Sequence, residues 1–499
     1  MTTSATVIAV LVVYLAVLLR IGWWGRTASH EVSGYYVAGK RLPSWVIAFS
    51  SNATGESAWL LLALTGMGYL AGAHAFWVIP GELGGVALSW MLVAKPFKAY
   101  TDRYDAVTVS DFLEDRFRDS AHVLRLVSAV IIFSMATVYV AAQLTASGRA
   151  FESFLGTTYE SGVMIGAAIV LYYTTVGGFK AVAYSDVVQG VLMVACLILL
   201  PTVGIVAAGG WTGMTATLAQ ADPAFLRPMG AHGLSAPGIA SAVGFVAIGF
   251  AFLGSPHLLT RFIAARHQDD IVVAGPIAVL CMTVFIVGAI LTGIAGRALF
   301  PGLEDPETIY PLMGSELFPA FFTGIFLVIV LAAIMSTVDS LLLLASSAVV
   351  RDVIQKVFSP SWSELLYSRA GKLTTVVIGA GALALALPEV RAIFWFVLFA
   401  WSGLASAFTP VVLCSLFWRR TTRAGAIAGM ISGFAGAVGW VLLFKDRFYD
   451  LYEMIPGFAL GFAATVGVSL LTKPPTGADE EFEWVREVVR RPFGSRSFP

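Results

Sequence analysis

A run of polar residues interrupts a long apolar segment early in the chain. The run extends from Ser50 to Ser57, contains Glu56, and is flanked by apolar sequence between Trp45 and Tyr69. Polar groups exposed to hydrocarbon cost several kcal/mol each, so a membrane helix keeps such a run only where it lines a cavity or is buried in protein. A broken helix with an acid at the break is typical of a transport site near the bilayer midplane. The alternative is a polar contact between two helices.

A second polar group lies on one face of a later apolar segment. The face contains, at spacings of i, i+3, i+4 and i+7, the residues Ala333, Ser336, Thr337 and Ser340, and Asp339 borders it. Hard cations such as sodium prefer several oxygen ligands, namely carbonyls, hydroxyls and carboxylates. The spacing therefore indicates a cation site, and the alternative is a set of hydroxyls that bond back to their own helix.

Four acids lie inside apolar segments, namely Glu56, Glu82, Asp186 and Asp339. A charge buried in a bilayer costs at least ~2.5–3.5 kcal/mol, so each acid needs a cation, a basic partner or a proton. We expect no Lys or Arg at a comparable depth in these segments, which favours binding of a cation or a proton. For Glu82, which follows a Pro-Gly pair, solvation near the end of its segment is the alternative.

The composition places the chain in the membrane class. Of 499 residues, 58% are hydrophobic and 12% are charged, against roughly 25% charged in soluble domains, and the mean hydropathy is +0.82. The apolar runs are continuous over about 20 residues, which predicts helices rather than the alternating strands of a barrel. The cysteines Cys196, Cys281 and Cys414 lie in these runs and are predicted to be small apolar side chains. We therefore predict an all-α integral membrane protein.

The apolar runs predict about thirteen transmembrane helices. They lie near 5–24, 44–70, 75–96, 122–156, 160–176, 180–208, 237–260, 271–298, 320–352, 372–388, 392–418, 422–443 and 455–472. Most of the 31 Lys and Arg residues fall on one side of these spans, which predicts an N-terminus outside and a cytoplasmic C-terminus. The membrane domain would cover residues 1–473, and residues 474–499 would form a cytoplasmic tail with one weak amphipathic turn at 482–489.

A second interruption occurs five spans after the first, at residues 252–256, where the sequence reads Phe-Leu-Gly-Ser-Pro. Paired interruptions at corresponding positions of two halves point to an inverted-repeat transporter whose site lies at the breaks. No repeat is visible as sequence identity, so this inference rests on the placement of the two interruptions.

Several short motifs, in this order and topology, resemble the sodium/solute symporter family, most closely its bacterial sodium/proline symporters. The motifs occupy residues 34–42, 177–186, 256–257, 261–262, 332–337, 409–413 and 455–458. The resemblance implies a fold like that of the leucine transporter, with two inverted repeats of five helices near 44–208 and 237–418. One extra helix near 5–24 would precede the repeats, and two extra helices near 422–472 would follow them.

The resemblance also implies the residues of the sites. The sodium ligands would be the carbonyls of Ala53, Glu56 and Ala333 and the hydroxyls of Ser336 and Thr337. A candidate second cation site would use Asp186, Asp339 and Ser340. The substrate pocket would contain Ser57, Trp59, Tyr139, Gln143, Ile248 and Phe252.

Two departures from the proline symporters bear on the substrate. They carry an acid at the position of Gly55, whereas this chain has its acid one residue later, at Glu56. Their aromatic pair in the seventh span falls on Ile248 and Phe252, so an indole and a phenolic hydroxyl are missing. The substrate is therefore expected to be proline or another small carboxylate-bearing solute.

The sequence predicts sodium-coupled uptake of a small solute by alternating access, in the cytoplasmic (inner) membrane of a bacterium. Proton coupling through the buried acids, a carboxylate or sugar substrate, and a membrane sensor built on a transporter body are the alternatives. No nucleophile–base pair is readable, and His74 and His257 lie near helix ends where we expect solvation, so an enzyme is not predicted. Sodium, the solute and the lipid bilayer are the expected partners, nucleic acid is not, and a monomer is compatible with the sequence.

Overall fold

Long apolar runs with few helix breakers fold into helices because a bilayer offers no hydrogen-bond partners for an exposed backbone. A computed structural model describes residues 3–388, 393–473, 475 and 477–494. Within these ranges the secondary structure is helical apart from one isolated bridge between Leu42 and Ala265. The all-α prediction is confirmed. The span predicted near 392–418 and the tail 474–499 lie partly outside the described residues.

The first half of the chain contains helices α1 to α10. Their bounds are α1 Thr3–Gly25, α2 Val32–Val37, α3 Ser44–Ala58, α4 Thr65–Ala71, α5 Val78–Leu88, α6 Ala94–Arg103, α7 Val109–Phe117, α8 Val123–Leu155, α9 Tyr159–Ala207 and α10 Gly210–Ala221. Wider helical turns at Trp59–Leu64 and Ser89–Val93 join α3 to α4 and α5 to α6.

The second half contains helices α11 to α20. Their bounds are α11 Ala236–Ala247, α12 Pro256–Ala264, α13 Gln268–Leu299, α14 Ile309–Glu316, α15 Ala320–Ser347, α16 Glu364–Ala386, α17 Ile393–Phe417, α18 Arg423–Leu443, α19 Met454–Leu471 and α20 Ala478–Arg490. A tight helical stretch at Ile248–Leu253 follows α11, and a wide one at Ala348–Phe358 extends α15.

Eleven segments of the described chain are long and apolar enough to cross a membrane. Two of them, Ser44–Arg103 and Tyr159–Ala207, contain 60 and 49 residues, whereas one crossing needs about 20. Each has a glycine with positive φ near its middle, Gly72 at 57° and Gly178 at 60°. Both segments are thus long enough to cross twice. The count of thirteen crossings and the inverted repeat remain predictions.

Helix α15 lies at the centre of the molecule, since all its residues from 326 to 347 are buried. It packs against α1, α3, α8 and α9, so the face predicted to bind a cation is enclosed by other helices. α3 is equally enclosed, with every residue from 50 to 58 buried. The two polar elements singled out by the sequence are therefore neighbours in the core.

The helices differ from the sequence-based predictions in three respects. α16 begins at Glu364, eight residues before the predicted span, because Ser363 caps its first turn by accepting the Leu366 N–H. The short helices α2, α7, α10 and α14 were not predicted, since none has a full membrane-length apolar run. The weak turn predicted at 482–489 is the 13-residue helix α20, whose Glu481 binds Arg118 at 2.9 Å.

Candidate functional site

The break in the first polar run is confined to a single residue. Ser57 has φ 54° and ψ −167°, whereas the rest of Ser44–Ala58 keeps helical angles. This region is nearly exclusive to glycine and costs of order 1–3 kcal/mol for other residues, which makes it a feature of functional sites. The Ser57 hydroxyl accepts the Trp59 N–H at 3.2 Å and the Tyr139 hydroxyl at 3.4 Å. The interruption expected over Ser50–Ser57 is therefore narrower than predicted.

The second break lies where the sequence places it. After the tight stretch Ile248–Leu253, Gly254 leaves the helical region at φ −159° and ψ 1°, and α12 begins at Pro256. The indole N–H of Trp401 in α17 donates to the Ile248 carbonyl at 3.1 Å. Both broken helices thus have backbone groups that bind side chains of neighbouring helices.

Hydroxyls of α15 reach the backbone of α3 just before its break. Ser336 Oγ lies 2.8 Å from the Ala53 carbonyl oxygen and 3.0 Å from that of Ala333. Thr337 Oγ1 lies 2.9 Å from the Thr54 carbonyl oxygen and 3.4 Å from that of Ala333. The hydroxyls therefore bond across to α3 as well as back along their own helix, and five oxygen atoms collect in one buried place.

The sequence analysis did not single out the Thr54 carbonyl. The break at Ser57 explains why this oxygen can accept the Thr337 hydroxyl. In a regular helix the Ala58 N–H would bind this carbonyl, but here it donates to Gln143 Oε1 of α8 at 3.0 Å. The Thr54 oxygen therefore has capacity for the Thr337 hydroxyl. The Glu56 carbonyl, which the sequence assigned to this set, accepts the Trp59 N–H, and its place among the sodium ligands stays a prediction.

The prediction that no basic residue lies at the depth of the buried acids is wrong. Arg261 of α12 is 1% exposed, and its guanidinium lies 3.3 Å from Asp186 Oδ2 of α9. It also donates to Thr54 Oγ1 at 2.6 Å, to Ser50 Oγ at 3.1 Å and to Ser340 Oγ. Arg261 lies one residue past the span predicted near 237–260, but the structure places it within α12, where it is buried.

Asp339 has a different set of partners. Its Oδ2 accepts the hydroxyl of Tyr173 in α9 at 2.7 Å, and its Oδ1 accepts that of Ser340 at 3.1 Å. The structure thus brings the residues of the candidate second cation site, Asp186, Asp339 and Ser340, into one cluster with Arg261. A tyrosine in an apolar run gives no signal in the sequence that would identify it as a partner of Asp339.

The residues predicted to form the substrate pocket meet at the two breaks. Tyr139 and Gln143 of α8 bind the α3 break through the contacts given above. Trp401 of α17, which the sequence analysis missed, packs its ring 5.3 Å from that of Phe252 and 6.4 Å from that of Tyr139. Trp59 begins the wide helical turn directly after the α3 break and is 4% exposed.

The two histidines expected in solvent are buried. His257 is 1% exposed and its ring lies 5.6 Å from Trp401, because α17 covers the start of α12. His74 is 7% exposed, with its ring nitrogens 3.0 Å from the Pro228 carbonyl and 2.9 Å from the Ser241 hydroxyl. A position near a helix end does not imply solvation when a neighbouring helix or loop covers that end.

The departure from the proline symporters at position 55 has a steric reason. A Cβ atom on Gly55 would lie 2.9 Å from Cε1 of Phe252, closer than a real Cβ contact. The Phe252 ring therefore fills the space beside this position.

Glu82, for which solvation was the alternative, is 2% exposed in α5 and is not solvated.

A cavity of about 610 Å³, here called the vestibule, lies beside α11 and reaches Ile248, the first residue of the stretch that leads into the second break. It is also lined by the end of α4, residues of the segment 222–232, residues of α17, and Tyr452. On the opposite side of the site, a cavity of only about 20 Å³ touches Arg261 and Ser340. The site is thus close to open space on one side and closed by the Arg261 cluster on the other.

A family model described as the sodium:solute symporter family matches residues 35–433. The chain is 37% identical to the high-affinity proline transporter of Bacillus subtilis, covering 92% of this chain and 97% of the relative. It is 34% identical to the sodium/proline symporter of Salmonella typhimurium, covering 96% of both chains. In fold it is similar to a Na+-coupled sialic acid symporter in a substrate-bound outward-open state, with a TM-score of 0.78, 20% identity, and coverage of 94% of this chain and 98% of that one.

Proposed function

The chain belongs to the sodium:solute symporter family, and we propose that its solute is proline or a related amino acid. It is a multi-pass membrane protein that couples solute symport to sodium. The proposal for proline is supported by relatives that carry this solute in their names and match almost the whole chain. The single observation that carries the sodium coupling at residue level is the contact of the α15 hydroxyls with α3 carbonyls beside a broken helix.

We infer a sodium site between α3 and α15. Its ligands would be the carbonyls of Ala53, Thr54 and Ala333 and the hydroxyls of Ser336 and Thr337. Both hydroxyls donate to these carbonyls, and turning each hydroxyl would present a lone pair instead of a proton. Sodium would then hold α3 against α15 through the same atoms, and it would order the break beside the substrate pocket.

The substrate pocket would lie at the two breaks, among Ser57, Trp59, Tyr139, Gln143, Ile248 and Phe252, with Trp401 as an added wall. Ile248 also lines the vestibule, so a solute in the vestibule reaches the pocket by passing this residue. With the predicted orientation, the vestibule opens to the outside and the Arg261 cluster closes the cytoplasmic side. We propose that this arrangement is the outward-facing state of an alternating-access cycle and that the protein works in a bacterial cytoplasmic membrane.

The candidate second cation site needs a change before a sodium ion can use it. Asp186 and Ser340 both bind the guanidinium of Arg261, which already supplies one positive charge. Sodium would bind there only after Arg261 has moved away. We therefore propose one sodium ion per cycle at the α3–α15 site, and a second only in a state with the Arg261 cluster open.

One charge that crosses ~100 mV yields ~2.3 kcal/mol. At 1.4 kcal/mol per factor of ten, this energy supports roughly a 40–50-fold solute gradient before the sodium gradient itself is counted. One sodium ion per cycle is therefore sufficient for concentrative uptake. Binding must also be reciprocal, so sodium raises the affinity for the solute by the same factor as the solute raises that for sodium.

Uptake of radioactive proline into proteoliposomes tests the proposal. With an inward sodium gradient and no pH gradient, we expect proline to accumulate above its external concentration.

Proton coupling is the second candidate, because Glu56 and Glu82 are buried without a basic partner among the described residues. Accumulation with a pH gradient alone, and none with sodium, would reject sodium coupling in favour of protons.

A further inference from the structure

Two buried acids have no role in the sodium site described above. The side chains of Glu56 in α3 and Glu82 in α5 are 1% and 2% exposed. Both carboxylate oxygens of Glu56, and Oε2 of Glu82, have no hydrogen-bond partner among the described residues. No Lys, Arg or His of the described chain forms an ion pair with either carboxylate, in contrast to Asp186 with its Arg261.

Glu56 and Glu82 lie on elements that meet the same stretch of chain. Gly55, next to Glu56, faces the Phe252 ring, and Phe252 belongs to the stretch Ile248–Leu253 against which α5, the helix of Glu82, packs. α5 lies backbone to backbone against the stretch that follows α11, since a Cβ atom on Gly249 would lie 3.0 Å from the Glu82 nitrogen. The Glu82 backbone therefore lies against Gly249, the neighbour of Ile248, which lines the vestibule, and Glu56 directly precedes the break at Ser57.

A carboxylate that stays ionised inside a membrane requires a compensating positive charge, and otherwise it binds a proton. Since the described chain supplies no basic partner to this pair, the positive charge comes from a proton or from the cargo. The surrounding rings of Tyr139, Phe252 and Trp401 favour an organic cation, which aromatic faces attract. Sodium instead prefers a shell of several oxygen ligands, which the α3–α15 cluster offers.

A buried donor on the other side of the break completes the pattern. Gln143 is fully buried, and while its Oε1 accepts the Ala58 N–H, its Nε2 has no partner among the described residues. An amide N–H₂ group can donate to a carboxylate. Unpartnered acceptors at Glu56 and an unpartnered donor at Gln143 thus flank Ser57, which matches the two charged ends of an amino acid.

We propose that Glu56 and Glu82 bind the ammonium group of the substrate, while Gln143 Nε2 binds its carboxylate. This inference rests on the proposed function and narrows its substrate class to amino acids, with sugars and amine-free carboxylates excluded. It gives the acid at position 56 a role in solute selection, distinct from that of the backbone atoms of α3 in the sodium site.

Competition binding with purified protein in nanodiscs tests the proposal with three ring compounds. They are proline, tetrahydrofuran-2-carboxylate, in which an oxygen replaces the ammonium nitrogen, and pyrrolidine, which lacks the carboxylate. In sodium, wild-type protein should bind proline at least about tenfold more tightly than either analogue. Glu56→Gln and Glu82→Gln should each weaken proline binding about tenfold and bring tetrahydrofuran-2-carboxylate to a comparable affinity. Glu316→Gln, a change at an exposed glutamate, should leave both affinities unchanged.

The experiment also separates the competing outcomes. A sodium-induced rise in thermal stability in each variant shows that the fold and the sodium site are retained. If both Gln variants keep the wild-type preference for proline but bind one sodium ion fewer per protein, the pair holds sodium and the proposal is wrong. If wild-type protein does not bind proline at all, the proposed substrate fails. The inference is then decided by a screen of amino acids against their 2-hydroxy acids, and any sodium-dependent ligand without an ammonium group overturns it.

Discussion

At the scale of single residues, two hydroxyls connect the central helix to the broken one. Ser336 and Thr337 are fully buried, and each bonds a carbonyl of α3 within 2.9 Å. Their bonds to Ala333, at 3.0 and 3.4 Å, show that they also retain the local pattern of membrane serines and threonines. A pair of hydroxyls placed between two sets of carbonyls can turn their O–H bonds away and present lone pairs to an ion without moving the backbone.

We predict that Ser336→Ala and Thr337→Ala each weaken sodium activation of uptake. A hydrogen bond or ligand to a charged group is worth about 1.5–3 kcal/mol, so the sodium concentration for half-maximal uptake should rise on the order of ten- to a hundredfold. Ser347→Ala is the matched control, since its hydroxyl bonds only the Leu344 carbonyl of its own helix. Unchanged sodium activation in both site variants would rule out this site.

We predict that Arg261→Gln destabilises the protein, because it leaves Asp186 buried and unpaired. Loss of one partner of a buried ion pair typically costs about 3–5 kcal/mol. The double variant Arg261→Gln with Asp186→Asn should cost less than the sum of the two single changes, as measured by thermal unfolding in detergent. Arg266→Gln, at an arginine that is about half exposed and pairs with Asp270, should cost at most about 1 kcal/mol. Additive effects would show that the Arg261–Asp186 contact has no energetic coupling.

At the scale of elements, α5 packs closely against the stretch after α11, which leads into the second break. A Cβ atom on Gly249 would lie 1.8 Å from the Gly81 carbonyl oxygen, and one on Gly85 would lie 2.2 Å from the Gly249 carbonyl oxygen. These are backbone contacts, which cannot adjust as a flexible side chain would. The close contact places Glu82 next to the broken part of the neighbouring helix.

We predict that Gly249→Ala disrupts this contact and lowers both stability and transport. Overpacking of a tight core costs about 1–3 kcal/mol, and thermal unfolding together with uptake measures it. Gly84→Ala in α5, the helix that packs against Gly249, faces open space and should be neutral or stabilise by up to about 1 kcal/mol, because alanine favours helix. Equal effects of the two changes would contradict the proposed helix contact.

The sequence was informative where one helix face or one interruption carried the signal. The i, i+3, i+4, i+7 spacing placed Ser336 and Thr337 on the face that meets α3, and the structure confirms their meeting. It could not place Arg261, because the depth of a long side chain depends on how the helix end is oriented. Tyr173 and Trp401 were missed because an aromatic residue in an apolar run has the same pattern whether it packs or binds a polar group.

At the scale of the whole molecule, the two sides of the site differ in access. The vestibule of about 610 Å³ reaches Ile248, whereas the cavity beside Arg261 holds only about 20 Å³. Three elements converge on Arg261, namely α3 through Ser50 and Thr54, α9 through Asp186 and α15 through Ser340. Opening the closed side therefore requires these contacts to separate together, which would couple the gate to both helices of the proposed sodium site.

We predict opposite changes in accessibility at two engineered cysteines when sodium and proline bind. Ala240→Cys lies in the vestibule and Leu344→Cys lines the small cavity, while the native cysteines are buried and give a low background. Labelling by a small thiol reagent should slow at position 240 and accelerate at position 344 as the protein turns over. A parallel change at both positions would contradict alternating access.

The most direct test of sodium–solute symport is the sodium flux that a solute gradient drives. Proteoliposomes are prepared with equal sodium inside and outside, a clamped membrane potential, and an inward gradient of proline. Reciprocal coupling predicts net entry of ²²Na⁺ that stops when proline is omitted and falls sharply in Thr337→Ala. Proline entry without any movement of sodium would contradict the account.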